Sequence, residues 1–136
     1  GQRTASEAKI RIGAAILQDE DRSIEVQGQD QVTSLPRPVV LTTHELVDAM
    51  QETLHLMLAA VRNVLERTPP ELASDIIDKG MVVCGGTALL RGMDKWLTSE
   101  TGIPAYLAEE PVACVANGAA KSLTMLERLR RALPPV

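Results

Sequence analysis

The residues best suited to holding a ligand form a glycine turn between an apolar run and a helical pattern. Residues Met81 to Cys84 have the composition of a short buried strand, and Gly85 and Gly86 follow it directly. Glycine has no Cβ atom, so a flat or charged ligand can lie against the backbone there. Thr87 can cap a helix that continues through Leu97, and the free N–H groups of that helix would then face the ligand. The pattern predicts a nucleotide site, although the same arrangement also occurs in α/β proteins that bind no ligand.

Three polar side chains near the start of the chain could complete such a site. Ser6, Glu7 and Lys9 lie close to one edge of a predicted N-terminal helix. Their hydrogen-bonding groups could meet the ribose or base of a nucleotide placed over the glycine turn. The alternative is an ordinary solvated helix face, and the residues alone leave both interpretations open.

Residues for catalysis or metal binding are sparse. His44 and His55 are not accompanied by cysteines or carboxylates at metal-ligand spacing. Cys114 has no nearby signature of a nucleophile. Asp75 and Asp78 share one helix face and could bind a cation, but solvation or capping explains them as well. The sequence also lacks a phosphate loop of the Gly-x4-Gly-Lys type, so we predict no catalytic residue and no metal ligand.

The composition excludes several classes of partner. The chain has 136 residues, is 45% hydrophobic and carries a net charge of −4, with no Phe, one Trp and one Tyr. Base stacking on aromatic side chains is therefore a poor mode of recognition, and no basic stripe suits a phosphate backbone. We expect no nucleic-acid partner.

Cysteine use and hydropathy indicate a soluble protein of a reducing cytoplasm. Cys84 and Cys114 are both predicted to be small buried core residues without a disulfide. No segment approaches the roughly 18 apolar residues of a membrane span, and the first residues do not resemble a signal peptide. The abrupt start at Gln2 to Thr4 suggests that the chain is part of a longer polypeptide.

Hydrophobic periodicity predicts the order of the elements. The first part begins with a helix over Ala5 to Leu17 that is interrupted near Gly13. Strands follow over residues 23–29 and 37–42, with a possible extra strand over residues 31–33 between them. A capping box at Thr42 to Glu45 then begins a long helix, which ends at Pro69. The second part contains a short helix over residues 71–77, a strand over 81–84, the helix after the glycine turn and a strand over 105–108. A final helix over 112–133, interrupted by Gly118, ends the chain.

These elements divide into two regions. Residues 1–68 form a small sheet flanked by two helices, whereas residues 69–136 hold two strands, each followed by a helix. Two strands are too few for a stable α/β layer, so we expect further strands elsewhere in the parent protein.

Five groups of residues, taken in order, resemble one known family. They are Arg3-Thr-Ala5 with Lys9-Ile10 and Ile12-Gly13, Thr68-Pro-Pro-Glu-Leu-Ala73 with Asp75-Ile-Ile-Asp78 and Gly80, Gly85-Gly-Thr-Ala-Leu-Leu-Arg-Gly92, Glu100-Thr-Gly-Ile-Pro104, and Ala108-Glu-Glu-Pro111. The resemblance they carry extends over nearly all of Arg3 to Leu129. The chain resembles the C-terminal half of the MreB family, the bacterial actin-like rod shape-determining proteins.

The resemblance implies an α/β protein with the actin-like ATPase fold of the ribonuclease H-like superfold. Residues 1–68 would be the small outer subdomain and residues 69–136 part of the inner one. In this family, ATP with Mg²⁺ lies between two halves of the fold, and filaments form at the inner face of the cell membrane. Expected partners are further copies of the protein, together with proteins of cell-wall synthesis and membrane morphogenesis.

The resemblance also implies roles for individual residues. The family's ribose and base motif falls on Ser6 to Lys9, with Ser6 where Glu is usual and Glu7 one place later. Its adenosine-side glycine turn falls on Gly85, Gly86, Thr87 and Ala88, with Thr87 in place of a common third glycine. The family's phosphate loops, metal-binding aspartate and catalytic glutamate have no counterpart in this chain, which alone is predicted to be inactive as an ATPase.

Two functions remain as hypotheses at this point. The first is the nucleotide-side half of a cytoskeletal protein that binds ATP and forms filaments determining bacterial cell shape. The alternative is a stand-alone protein interaction module that keeps the same fold but no longer binds nucleotide.

Overall fold

The computed structural model of the chain describes residues 1–132, which form α-helices, short strands and one 3₁₀ helix. In chain order the elements are α1 (Gln2–Ile12), β1 (Ser23–Gln29), β2 (Pro36–Thr42), α2 (Thr43–Glu66), α3 (Pro70–Lys79), β3 (Met81–Val83), the 3₁₀ helix (Gly86–Leu89), α4 (Met93–Thr101), β4 (Ala105–Leu107), α5 (Cys114–Leu123) and α6 (Leu126–Ala132).

Helix α1 starts earlier than predicted and does not reach Leu17. It ends at Ile12, and the next residue, Gly13, has an extended backbone and an N–H that donates to the carbonyl oxygen of Lys9 over 2.9 Å. A Cβ atom on Gly13 would clash with that oxygen, so the close approach requires glycine. Ala14 then forms an isolated parallel bridge with Arg91. The prediction of helix beyond Gly13 is wrong because this long-range pairing takes over.

Strands β1 and β2 form an antiparallel hairpin that confirms the two predicted strands. The register runs from Ser23 opposite Thr42 to Gln29 opposite Pro36. The possible extra strand at residues 31–33 is absent from the structure, because these residues form the turn of the hairpin.

Helix α2 begins with the predicted capping box. The Glu45 N–H donates to the Thr42 hydroxyl oxygen over 3.3 Å, and the Thr42 N–H donates to the Glu45 carboxylate over 2.9 Å. The helix buries Val47, Leu54 and Leu58 along one face, as the helical spacing of apolar residues predicts.

Strands β3 and β4 are three residues each and pair in parallel. They lie beside a core that joins α2 to α4. The predicted boundary between two subdomains after residue 68 would cut through this core, and it stays a prediction. The buried members of the cluster are Ala15, Leu54, Leu58, Leu90, Met93, Trp96, Leu97 and Ala105.

The predicted final helix is two helices. Helix α5 contains Gly118 without interruption and ends at Leu123, and α6 begins at Leu126. The hydroxyls of Ser122 and Thr124 donate to backbone carbonyls three residues earlier, which competes with regular helical bonding. The predicted interruption at Gly118 is therefore wrong, because the break lies between Leu123 and Leu126. The predicted last residue, Leu133, lies outside the described residues.

Cys84 lies just after the end of β3 and is exposed, so the prediction that it is a core residue is wrong. Cys114 is half-buried. None of the helices in residues 1–132 combines the length and apolarity that a membrane span requires.

Candidate functional site

Helix α1 and the glycine turn enclose a cleft of about 480 Å³, which we call the Lys9–Gly86 cleft. Lys9 lines it from α1, and Gly86 and Thr87 line it from the start of the 3₁₀ helix. The other residues lining the cleft are Ile10, Arg11, Gly13, Arg22, Leu89, Leu90, Arg91 and Val112. The structure thus brings together three of the seven predicted site residues.

The glycine turn holds its shape through Gly85. The residue has φ 90° and ψ 170°, a conformation that is essentially restricted to glycine. Its N–H donates to the carbonyl oxygen of Pro111 over 2.7 Å, which fixes the turn against the segment before α5. A Cβ atom built on Gly86 would meet no heavy atom within 4 Å, so the space beside this backbone is open. Gly85 therefore determines the conformation of the turn, and Gly86 leaves the backbone of the turn accessible to a ligand.

The predicted capping role of Thr87 is wrong. Residues Gly86–Leu89 form a 3₁₀ helix, Leu90 is extended, and Gly92 adopts a left-handed conformation with φ 74° before α4 begins at Met93. The extended and left-handed residues break the helix that the apolar spacing suggested. Thr87 still lines the cleft through its position in the 3₁₀ helix.

The remaining predicted site residues lie outside the lining of the cleft. Ala88 is buried with 6% of its surface exposed. Glu7 forms an exposed ion pair with Arg3, one turn back along α1, at 3.4 Å. Ser6 is exposed on the same helix. Ser6 and Glu7 are therefore near the cleft in sequence but contribute nothing to its walls in this conformation.

Arg91 anchors the two sides of the cleft to each other. Its guanidinium donates to the carbonyl oxygen of Ile12 over 2.8 Å, to that of Gly13 over 3.3 Å, and to the hydroxyl of Thr43 over 3.2 Å. Thr43 is fully buried, and its hydroxyl donates to the same Ile12 oxygen over 2.8 Å. These bonds hold the end of α1, the start of α2 and the loop after the glycine turn in one arrangement.

The Arg91 network was missed in the sequence. Its donor and acceptor residues are as far as 79 positions apart, and Arg91 has no local partner that would mark it. The only sequence signal is Thr43, a polar residue immediately after the cap of a strongly amphipathic helix.

The residues lining the cleft carry a net positive charge, and one of these cations, Arg22, also pairs with Glu20 outside the lining at 3.0 Å. Four cationic residues line the cleft, and its described lining includes no Asp or Glu. These cations are Lys9, Arg11, Arg22 and Arg91. A cleft with this charge and an open glycine backbone can accept an anionic ligand with a flat portion. Within residues 1–132, His, Cys, Asp and Glu side chains do not gather in groups of three that could hold a metal ion.

Comparison with models of known protein families identifies the family of this chain. The model of the MreB/Mbl protein family matches residues 1–131. The chain belongs to the MreB/Mbl family. This result confirms the resemblance seen in the sequence.

Individual MreB and Mbl proteins are similar along almost the whole chain. The cell shape-determining protein MreB of Escherichia coli strain K12 is 47% identical over 127 residues, which are 93% of this chain and 37% of that protein. The cell shape-determining protein Mbl of Bacillus subtilis strain 168 is 39% identical over 129 residues, 95% of this chain and 39% of that protein. The chain thus spans about two fifths of the length of these MreB/Mbl relatives.

Two solved MreB structures share the fold. The crystal structure of MreB5 of Spiroplasma citri bound to ADP matches with a TM-score of 0.90 and 31% identity, over 96% of this chain and 40% of that one. The same protein bound to AMPPNP matches with a TM-score of 0.88 and 32% identity, over 98% and 40% of the two chains. The predicted actin-like ATPase fold is confirmed for the part that this MreB/Mbl chain spans.

Proposed function

We propose that this MreB/Mbl chain is the nucleotide-side part of an actin-like protein that determines bacterial cell shape, and that the Lys9–Gly86 cleft receives the adenosine side of ATP. The observation that carries the proposal is the meeting of Lys9 with Gly86 and Thr87 in one cationic cleft. Support also comes from the MreB5 structures of the same fold, which are described as bound to ADP and AMPPNP.

Each contributor to the cleft has a chemical part in this proposal. Lys9 would donate a charge-assisted hydrogen bond to an oxygen of the nucleotide. The open backbone at Gly86 fits a flat group that a side chain would exclude. Ser6 and Glu7, one turn away on α1, stay proposed ribose contacts on the resemblance alone. Gly85 and Ala88 would support the turn from behind, through the Pro111 hydrogen bond and through burial.

We propose that this part of the protein supplies neither the magnesium ligands nor the catalytic group. The cleft walls supply cations and backbone groups, whereas Mg²⁺ prefers carboxylate, phosphate and water oxygens. The Mg²⁺ that accompanies ATP would be held by its phosphates and by residues outside this chain. We therefore propose that the chain alone binds nucleotide without hydrolysing it.

Filament formation is the second part of the proposal. Apolar side chains are exposed on α5, on α6 and at the strand β3, including Val82 with 72% of its surface exposed. Such surfaces favour association with other protein surfaces. In the parent protein we propose self-association into filaments at the inner face of the cell membrane, together with cell-wall synthesis and membrane morphogenesis proteins.

A titration by NMR tests the cleft directly. Since the cleft is open on one side, we expect binding in the millimolar range, which amide chemical shifts detect. With ATP added to the ¹⁵N-labelled chain, the amides of Lys9, Gly13, Gly86 and Thr87 should shift together. Inorganic tripolyphosphate should reproduce only part of the pattern, and adenosine should reproduce the changes at the glycine turn.

Two variants sharpen this titration. Lys9→Ala should weaken ATP binding several-fold, since it removes a charge-assisted contact. Lys95→Ala, on the exposed surface of α4, is the matched control and should bind like the wild type. Shifts spread evenly over the surface, or equal affinities for the two variants, would refute the site and favour the interaction module.

A further inference from the structure

Two cysteines lie in segments that the fold brings together beside the glycine turn, and neither lines the proposed nucleotide cleft. Cys84 lies between β3 and Gly85, and Cys114 is the first residue of α5. Both are free thiols; Cys84 is exposed and Cys114 is half-buried. They are 30 positions apart in sequence, so the fold has to bring them together.

One backbone oxygen shows how close the two cysteine segments lie. The carbonyl oxygen of Pro111 accepts the N–H of Gly85 over 2.7 Å and the thiol of Cys114 over 3.3 Å. The residue after Cys84 and the sulfur of Cys114 therefore share an acceptor. In agreement with this proximity, the Cys114 thiol, by hydrogen bonding and by its charge, raises the pKa of the Cys84 thiol, and burial raises it further.

Solvent reaches this pair from both sides. Cys84 is exposed, and Cys114 lines an open cleft of about 290 Å³ together with Glu109, Glu110, Asn117, Gly118 and Lys121. A small oxidant can therefore approach either sulfur. Two sulfurs can form a disulfide within one chain when an oxidant can reach them and when they lie close together.

We propose that Cys84 and Cys114 are a peroxide-oxidisable dithiol whose disulfide clamps the glycine turn to the start of α5. The thiolate of one cysteine attacks hydrogen peroxide, so that an S–O bond forms, the O–O bond breaks, and the departing hydroxide takes a proton to become water. The sulfur of the other cysteine then attacks this sulfenic acid; the S–S bond forms, the S–O bond breaks, and a second water leaves. In total, the two sulfurs lose two electrons and the peroxide gains them.

The disulfide would add a covalent bond to the backbone hydrogen bond between Gly85 and Pro111 that now holds the turn. Closing the segment between Cys84 and Cys114 restricts the unfolded chain, which stabilises the folded one. A thiol reductant would restore the two cysteines, so the modification is reversible.

Peptide mapping of the full chain tests the pairing. The reduced chain is treated with hydrogen peroxide, blocked with a thiol reagent and digested with trypsin, which cuts after Lys and Arg. We expect residues 80–91 and 96–121 to appear as one linked peptide, lighter by two hydrogen atoms than the sum of the two, in a protein without disulfides between chains. Dithiothreitol should separate them. Sulfinic acids on unlinked peptides, or disulfides only between chains, would overturn the proposal.

Single variants and thermal unfolding complete the test. Oxidised wild type should unfold roughly 5 °C or more above the reduced form. Cys114→Ser should give sulfenic or sulfinic acid at Cys84 without this rise, and Cys84→Ser should show no rise either. A linked wild-type chain with an unchanged unfolding temperature would refute the clamp, even though the thiols had paired.

Discussion

The part of this MreB/Mbl chain before Leu107 and the helices α5 and α6 are built from similar residues but packed very differently. The buried apolar residues of the described chain run from Ala8 to Ala105. Neither α5 nor α6 buries a residue, and Val115, Leu123 and Leu126 are each about half exposed or more. Apolar spacing therefore shows that a helix has a face to cover, and only the fold shows whether this chain covers it.

The difference also separates two kinds of stability. The first part is held by a core between α2 and α4 and by the Arg91 network, both of which join residues far apart in sequence. Helices α5 and α6 are held mainly by hydrogen bonds within themselves. Matched substitutions in the two parts should therefore have very different effects on unfolding.

The largest contrast is expected between Trp96 and Leu123. Trp96 has 4% of its surface exposed and packs edge-on against His55, with ring centroids 6.4 Å apart. Trp96→Ala should lower the free energy of unfolding by about 3–5 kcal/mol, because it leaves a cavity in the core. Leu123→Ala, at a site with 67% exposure, should change it by less than about 0.5 kcal/mol. Urea unfolding followed by circular dichroism measures both, and similar losses would contradict the comparison.

The next contrast is between Arg91 and Arg128. Arg91→Met removes charge-assisted hydrogen bonds to Ile12 and Gly13 and one to Thr43, and should cost about 1.5–3 kcal/mol. Arg128→Met, on exposed α6, should be close to neutral. The amide of Lys9 should shift in the first variant only, because the Arg91 network positions α1. If Arg91→Met were as stable as the wild type, the Arg91 network would not contribute to the free energy of unfolding.

Two glycines should respond with opposite signs. Gly85→Ala forces a side chain into a conformation with φ 90°, which costs on the order of 1–3 kcal/mol whatever space is available. Gly118→Ala lies inside α5 with no heavy atom within 4 Å of the added Cβ, and should stabilise by about 0.4–1 kcal/mol through helix propensity. Thermal unfolding decides this pair. A stabilising Gly85→Ala would mean that the turn is not strained.

Local signals predicted the elements whose causes are local. The capping box at Thr42 and Glu45, the alternation in β1 and the proline at the start of α3 each act within a few residues. These elements therefore lie within one or two residues of their predicted ends.

The errors in the predicted elements occur where a contact with a distant residue, or a competing hydrogen bond to the backbone, determines the local structure. The bridge between Ala14 and Arg91 ends α1, and the left-handed Gly92 separates Thr87 from α4. The site followed the same rule: the residues alone suggested a ligand at the glycine turn, but only the fold places Lys9 beside Gly86. The roles of Ser6 and Glu7 stay predictions, as no contact of theirs in the structure concerns the cleft.

The smallest effect is expected at Asp30, in the turn of the hairpin, whose carboxylate bonds to the turn backbone and lies 3.7 Å from the guanidinium of Arg37 on β2. Its carboxylate accepts the N–H groups of Thr33 and Val32, each over 2.9 Å, and these bonds lower its pKa from the ordinary value of 3.8. A lowered folded pKa contributes stability above the unfolded pKa, and this contribution is lost as the pH falls through the folded one.

Asp30→Asn tests this contribution, because it keeps the acceptor oxygen but cannot titrate. The unfolding temperature of the wild type should fall slightly more than that of Asp30→Asn as the pH is lowered from 5 to 2, since the turn is exposed and screened by solvent. An NMR titration of the Asp30 carboxyl carbon should show its midpoint below that of an unfolded peptide spanning the same turn. Equal midpoints would mean that the turn forms without these hydrogen bonds, and the hairpin would then depend on strand pairing alone.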